Sequence, residues 1–144
     1  MKDLDWANLS FGYMKTDYNV RCYYRDGKWG EIEVCSDEYI NLHMAATCLH
    51  YGQEAFEGLK AYRCPDGKVR IFRVKDNAAR LQSTCDGIVM PKVPTEMFEE
   101  MVKKVVRLNQ DYIPTYESGA TLYIRPLLIG ISAQVGVHPS KDYL

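Results

Sequence analysis

Two short turn signals constrain the fold of this chain most: Asp26-Gly27 and Pro65-Asp66-Gly67, each set between runs of β-prone residues. Asp-Gly in that setting marks a hairpin, because glycine accepts the positive φ that tight connections need. The first signal predicts strands Asn19 to Tyr24 and Glu31 to Cys35, joined through Arg25-Asp26-Gly27-Lys28. The second predicts strands Ala55 to Tyr62 and Lys68 to Phe72 around Cys64-Pro65-Asp66-Gly67, where proline presets one turn dihedral. Beyond Arg73 the apolar residues take up helical spacing. Asp76 or Asn77 can cap a helix through about Ile88, with Ala78, Leu81, Cys85 and Ile88 on one stripe, and Pro91 and Pro94 end it. Thr95 caps a longer helix to about Asp111, burying Phe98, Met101, Val102, Val105 and Leu108; Pro114 closes it. A last strand, Ala120 to Ile131, runs into a tail with Gly136, Pro139 and Ser140 that reads as the start of a loop or linker. Hairpins, then two helices, then a returning strand predict an α+β fold: a mainly antiparallel sheet with two helices packed on it.

With 144 residues the chain suits one domain that needs no covalent staples. Its 18 basic and 19 acidic residues give no electrostatic footprint for nucleic acid or an anionic membrane. Cys22, Cys35, Cys48, Cys64 and Cys85 are widely spaced, with no C-x-x-C pair, and read as reduced, mostly buried thiols rather than metal ligands. The acidic start Met1-Lys2-Asp3-Leu4-Asp5-Trp6 lacks an apolar leader core and no run has membrane-span length, so a cytoplasmic location is expected.

The chemistry inventory is short. In the run from Ala120 to Gly130, strand alternation sends Leu122, Ile124 and Pro126 one way and Thr121, Tyr123 and Arg125 the other. An arginine and a tyrosine on one strand face make a fork for a carboxylate or phosphate, and equally suit a wet edge or a structural ion pair. Arg80, near a helix start, can aim at a phosphate or pair with Asp76 at i, i+4. Glu57 is either a strand carboxylate or a salt-bridge partner. His43, His50 and His138 are isolated, and no nucleophile elbow, Walker loop or dinucleotide fingerprint occurs.

Four ordered segments carry a resemblance: Leu49-His50-Tyr51-Gly52-Gln53-Glu54-Ala55-Phe56-Glu57-Gly58-Leu59-Lys60-Ala61-Tyr62, then Arg80-Leu81, then Leu122-Tyr123-Ile124-Arg125-Pro126, then Val135-Gly136-Val137. Together they resemble the amino-terminal half of the branched-chain amino acid aminotransferases, which are class IV pyridoxal-phosphate enzymes. The resemblance spans roughly Leu42 to Pro139. It implies a small amino-terminal domain over residues 1–144, with about 132–144 beginning the loop to a larger domain. In that family the lysine that carries the cofactor lies in the larger domain, and none of the ten lysines here, Lys60 included, occupies its position. The chain is therefore expected to hold no catalytic residue, to be inactive alone, and to be part of a longer enzyme.

The resemblance further implies that Arg80 holds the phosphate of pyridoxal 5'-phosphate. Tyr51, Phe56, Tyr123, Arg125 and Val137 would line the substrate pocket, Phe56 and Val137 as apolar walls and Tyr51, Tyr123 and Arg125 as carboxylate ligands. Tyr51 and Val137 would reach into the neighbouring subunit's site, so a homodimer is implied. The implied activity moves the amino group of Leu, Ile or Val to 2-oxoglutarate. Two other readings stay open: a sister class IV enzyme (a D-amino acid aminotransferase or aminodeoxychorismate lyase), and a non-catalytic binding domain with Arg80 and Arg125 merely structural.

Overall fold

A computed structural model describes all residues from Met1 to Leu144. In chain order the elements are β1 (Asn19–Arg21), β2 (Tyr24–Arg25), β3 (Lys28–Trp29), β4 (Glu33–Cys35), α1 (Thr47–Tyr51), β5 (Glu54–Phe56), β6 (Leu59–Arg63), β7 (Val69–Ile71), α2 (Val74–Gly87), α3 (Thr95–Leu108), β8 (Leu122–Ile124) and β9 (Leu127–Ile129). Every strand pairing is antiparallel, as expected, but the strands form four small pieces rather than one sheet: β1-β4, β2-β3, β5-β9 and β7-β6-β8.

Both hairpins form. Asp26 and Gly27 take φ of 52° and 77°, as a two-residue turn matched to the twist of its strands requires. The first hairpin is interrupted after Arg21, where the Cys22 thiol approaches the Gly30 carbonyl at 3.2 Å and Gly30 N–H bonds the Tyr23 carbonyl at 2.8 Å. At the second, Gly67 (φ 75°) donates to the Cys64 carbonyl at 2.8 Å.

The predicted strand from Ala55 to Tyr62 is broken at Glu57-Gly58, and the one from Ala120 to Ile131 at Arg125-Pro126. The two breaks face each other. Leu59 lies opposite Ile124 and Phe56 opposite Leu127, so one register continues through the gap. Pro126 has no N–H to give the ladder, while its carbonyl still accepts from Glu57 N–H at 3.0 Å.

The helices differ from expectation at their starts. α2 begins at Val74, before either predicted cap, behind Arg73 in the left-handed region (φ 51°). Asp76 instead pairs with Arg73 at 2.5 Å. Ile88 falls beyond the helix and is exposed, whereas Ala78, Leu81 and Cys85 are buried as predicted. Pro94, not Thr95, precedes α3, whose buried residues are Phe98, Val102 and Val106; Met101, Val105 and Leu108 are half-buried. α1 was not legible from spacing.

One core joins Ala55, Leu59, Ala61 and Ile124 to Leu81, Cys85, Phe98, Val102 and Ile113. The tail is docked on the domain: Tyr143 is 2% exposed and exchanges backbone bonds with Tyr24 at 2.9 and 3.0 Å. All five cysteines are free, but only Cys22 and Cys85 are buried, fewer than expected. No helix is long and apolar enough to cross a membrane.

Candidate functional site

The continuous register decides which side chains share a face. Residues directly opposite in an antiparallel pair lie on one side, so Phe56, Gly58 and Lys60 share a face with Leu127, Arg125 and Tyr123. Their contacts agree. The Arg125 guanidinium lies 4.2 Å from the Phe56 ring centroid and donates to the Tyr123 hydroxyl from Nη2 at 2.8 Å and Nε at 3.2 Å. The hydroxyl passes over Gly58, where any Cβ would overlap it. Phe11, from the irregular amino-terminal segment, packs edge-on against Tyr123 with ring centroids 5.1 Å apart.

Arg125 is exposed, and its hydrogen bonds to Tyr123 use Nε and Nη2, which leaves Nη1 available. It is fixed by a ring and a hydroxyl, and no Asp or Glu of this chain pairs with it. Next to it, an apolar hollow of about 340 Å³ is bounded by Val20, Met101, Val105, Leu122 and Ile124.

Glu57 leaves the opposite face and meets α2. Its carboxylate is 3% exposed and receives Arg80 Nε at 2.9 Å, Arg80 Nη2 at 2.6 Å and the Asn77 amide at 2.8 Å. Burial alone would push this carboxyl up, but the bonds from Arg80 and Asn77 outweigh it and hold the group below the ordinary carboxylate range. Arg80 thus pairs with Glu57 and not Asp76, and sits well inside α2 rather than at its start. Its side chain remains 68% exposed. The bidentate grip leaves the outer guanidinium edge free, and a fixed cationic fork open to solvent fits a phosphate.

Tyr51 and Val137 stand apart from this cluster. The Tyr51 hydroxyl donates to the Val135 carbonyl, and Tyr51 and Val137 border a hollow of about 380 Å³ with Gln53, Val89 and His138. The predicted residues therefore fall into three places: Phe56, Tyr123 and Arg125 together, Arg80 on the other side of the strand break, and Tyr51 with Val137. Gly58, Phe11 and Asn77 were missed. Gly58 had a signal, because a glycine inside a strand pattern marks a close approach.

No family model matches the chain. It is 51% identical over all 144 residues to a branched-chain-amino-acid aminotransferase of Haemophilus influenzae, covering 42% of that protein, and 44% identical to one of Helicobacter pylori, again covering 42%. Among solved structures, the branched-chain aminotransferase of Escherichia coli matches 90% of this chain and 39% of its own (25% identity, TM-score 0.60). Another branched-chain aminotransferase, solved in complex with N-(5'-phosphopyridoxyl)-L-glutamate, matches 86% of this chain and 39% of its own (26% identity, TM-score 0.62). The fold is that of the amino-terminal part of class IV aminotransferases. Within that class, the chain is homologous along its whole length to branched-chain-amino-acid aminotransferases, and spans about two fifths of the relatives it matches.

Proposed function

We propose that this chain is the small amino-terminal domain of a pyridoxal-phosphate-dependent branched-chain aminotransferase, a cytoplasmic homodimer as a whole, that moves the amino group of Leu, Ile or Val to 2-oxoglutarate. The observation that carries the reading is Arg125, exposed and free of any acidic partner, yet fixed between the Phe56 ring and the Tyr123 hydroxyl. Such an enzyme admits an aliphatic amino acid and glutamate in turn, so its pocket needs both an apolar wall and a cation. Phe56 supplies the wall and holds the guanidinium flat; Arg125 receives a carboxylate through its outer donors, and Tyr123 fixes their direction.

Arg80 would hold the cofactor's phosphate at the outer edge of its guanidinium, and pyridoxal 5'-phosphate when bound supplies the electron sink for loss of the α-proton. Tyr51 and Val137, remote from Arg125 in this subunit, suit a role at the neighbouring subunit's site. In the full-length protein, Arg125→Ala lowers kcat/KM for glutamate by at least ~10-fold more than for leucine, the scale of one charge-assisted bond. Equal losses for the two substrates would refute the role of Arg125, and absence of leucine to 2-oxoglutarate transfer in the unaltered protein would refute the function.

A further inference from the structure

Glu57 is the one buried ionisable group beside the proposed pocket that touches no substrate position. It lies between Ala55 and Leu59, both core residues, and its side chain is 3% exposed. A carboxylate in such a place is costly unless fully partnered. Glu57 is partnered, but lopsidedly: it is hidden while its cation is 68% exposed. A pair serving stability alone would do as well with apolar groups, or would hide both members. Here the anion is sunk in the protein and the cation's far edge is left in solvent. The carboxylate occupies Nε and one Nη2 hydrogen of a guanidinium that has five N–H donors; the others lie on the outer edge in a fixed plane. Asn77 locks the arrangement by donating to Glu57 at 2.8 Å and to the Gly58 carbonyl at 3.3 Å.

We propose that Glu57, held by Asn77, is a positioning residue that presets the plane of Arg80 so that its outer donors receive a phosphate group. The proposal rests on the assignment of Arg80 as the phosphate arm. The sign of the effect separates positioning from mere bracing. A carboxylate close to a bound phosphate repels it, so neutralising a simple brace would leave anion affinity unchanged or raise it. Neutralising a positioning group frees the guanidinium to turn, and affinity falls despite the lost repulsion.

The test titrates inorganic phosphate, and separately pyridoxal 5'-phosphate, into the cofactor-free full-length protein by calorimetry, with thermal unfolding alongside. Glu57→Gln and Asn77→Ala should each weaken both ligands about tenfold, the low end of what losing an orienting partner costs a metal ligand. In an Arg80→Ala background, Glu57→Gln should add little further loss. Asn77→Ala changes no charge and does not touch Arg80, so it decides the matter if the Gln variant fails to fold. Unchanged or tighter phosphate binding with a lowered Tm would make Glu57 a brace and overturn the proposal. Unchanged binding in Arg80→Ala would instead overturn the phosphate-arm assignment beneath it, which keeps the two failures distinguishable.

Discussion

One added methyl at Gly58 tests the geometry of the Tyr123–Arg125 pair. A Cβ there would overlap the Tyr123 hydroxyl oxygen and lie 3.1 Å from Cζ and 3.3 Å from Cε2. The hydroxyl must retreat by about 1 Å to reach ordinary contact. A phenol ring is rigid beyond χ2, so the retreat swings the whole ring and draws the hydroxyl away from Arg125 Nη2 and Nε, now 2.8 and 3.2 Å distant. Overpacking costs ~1–3 kcal/mol; because Tyr123 is half-buried and can swing outward, Gly58→Ala should cost about 1 kcal/mol in denaturant unfolding. Loss of the hydroxyl bond to an exposed guanidinium sits at the low end of the charged range, ~1.5 kcal/mol, or about tenfold in KM for glutamate in the full-length enzyme. Tyr123→Phe removes the overlapping atom and leaves Cζ as the nearest neighbour. In that background the unfolding cost of Gly58→Ala should fall by ~0.5 kcal/mol or more. Equal costs in the two backgrounds, or an alanine variant with unchanged KM and stability, would refute the proposed packing.

Gly130→Ala should be worse, at ~2–3 kcal/mol, because its Cβ would overlap Thr47 Oγ1 and lie 2.8 Å from Gln53 Oε1, an atom tied to Ser140 N–H at 2.9 Å; chemical denaturation measures it. Ile113, 0% exposed in the core, should cost ~2–5 kcal/mol as alanine, read by the same method. Acid should destabilise the domain. Glu57 and Asp66 are both depressed when folded, so their contribution is complete above the ordinary values of 4.5 and 3.8 and is lost as pH falls, for Asp66 through the value of about 2 set by Arg70. A Tm profile from pH 6 to pH 2 checks this, and Asp66→Asn should flatten it below about pH 4.

Local chemistry made the hairpins legible, because Asp26-Gly27 and Pro65-Asp66-Gly67 act through their own backbone preferences. The buried stripe of α2 was legible for the same reason. What escaped was set by contacts distant in sequence. Asn77 reads as a cap from its neighbours, but the helix already starts at Val74 and the Asn77 amide donates across the fold to Glu57 and the Gly58 carbonyl. Arg80 had Asp76 at ideal helical spacing, yet Arg73 holds Asp76 and a buried carboxylate across the fold outcompetes an exposed one. The interruption at Pro126 was written in the sequence, since proline has no N–H to give a ladder. Its match to the Glu57-Gly58 break becomes visible only once the register is known. Glu57 carried a usable signal: alternation with Ala55, Leu59 and Ala61 puts its charge on the buried face, where it must find a cation.

The break also explains how two proposed anion seats can arise from three consecutive residues. Because a strand's side chains alternate, Phe56 and Gly58 face Arg125 while Glu57 faces Arg80. Phe56 is the plate under one guanidinium, Gly58 the space through which Tyr123 reaches it, and Glu57 the clamp on the other. The ladder must loosen here, since Gly58 admits a side chain from the partner strand and Pro126 gives no hydrogen. It must not slip, since a shift of one residue would exchange the faces and turn Glu57 toward Arg125. The bond from Glu57 N–H to the Pro126 carbonyl is the backbone contact that spans the interruption and keeps the register on both sides of it. In the proposed enzyme, the separation between the substrate carboxylate and the cofactor phosphate is thereby set by one antiparallel ladder and the helix docked behind it, rather than by two independently mobile loops.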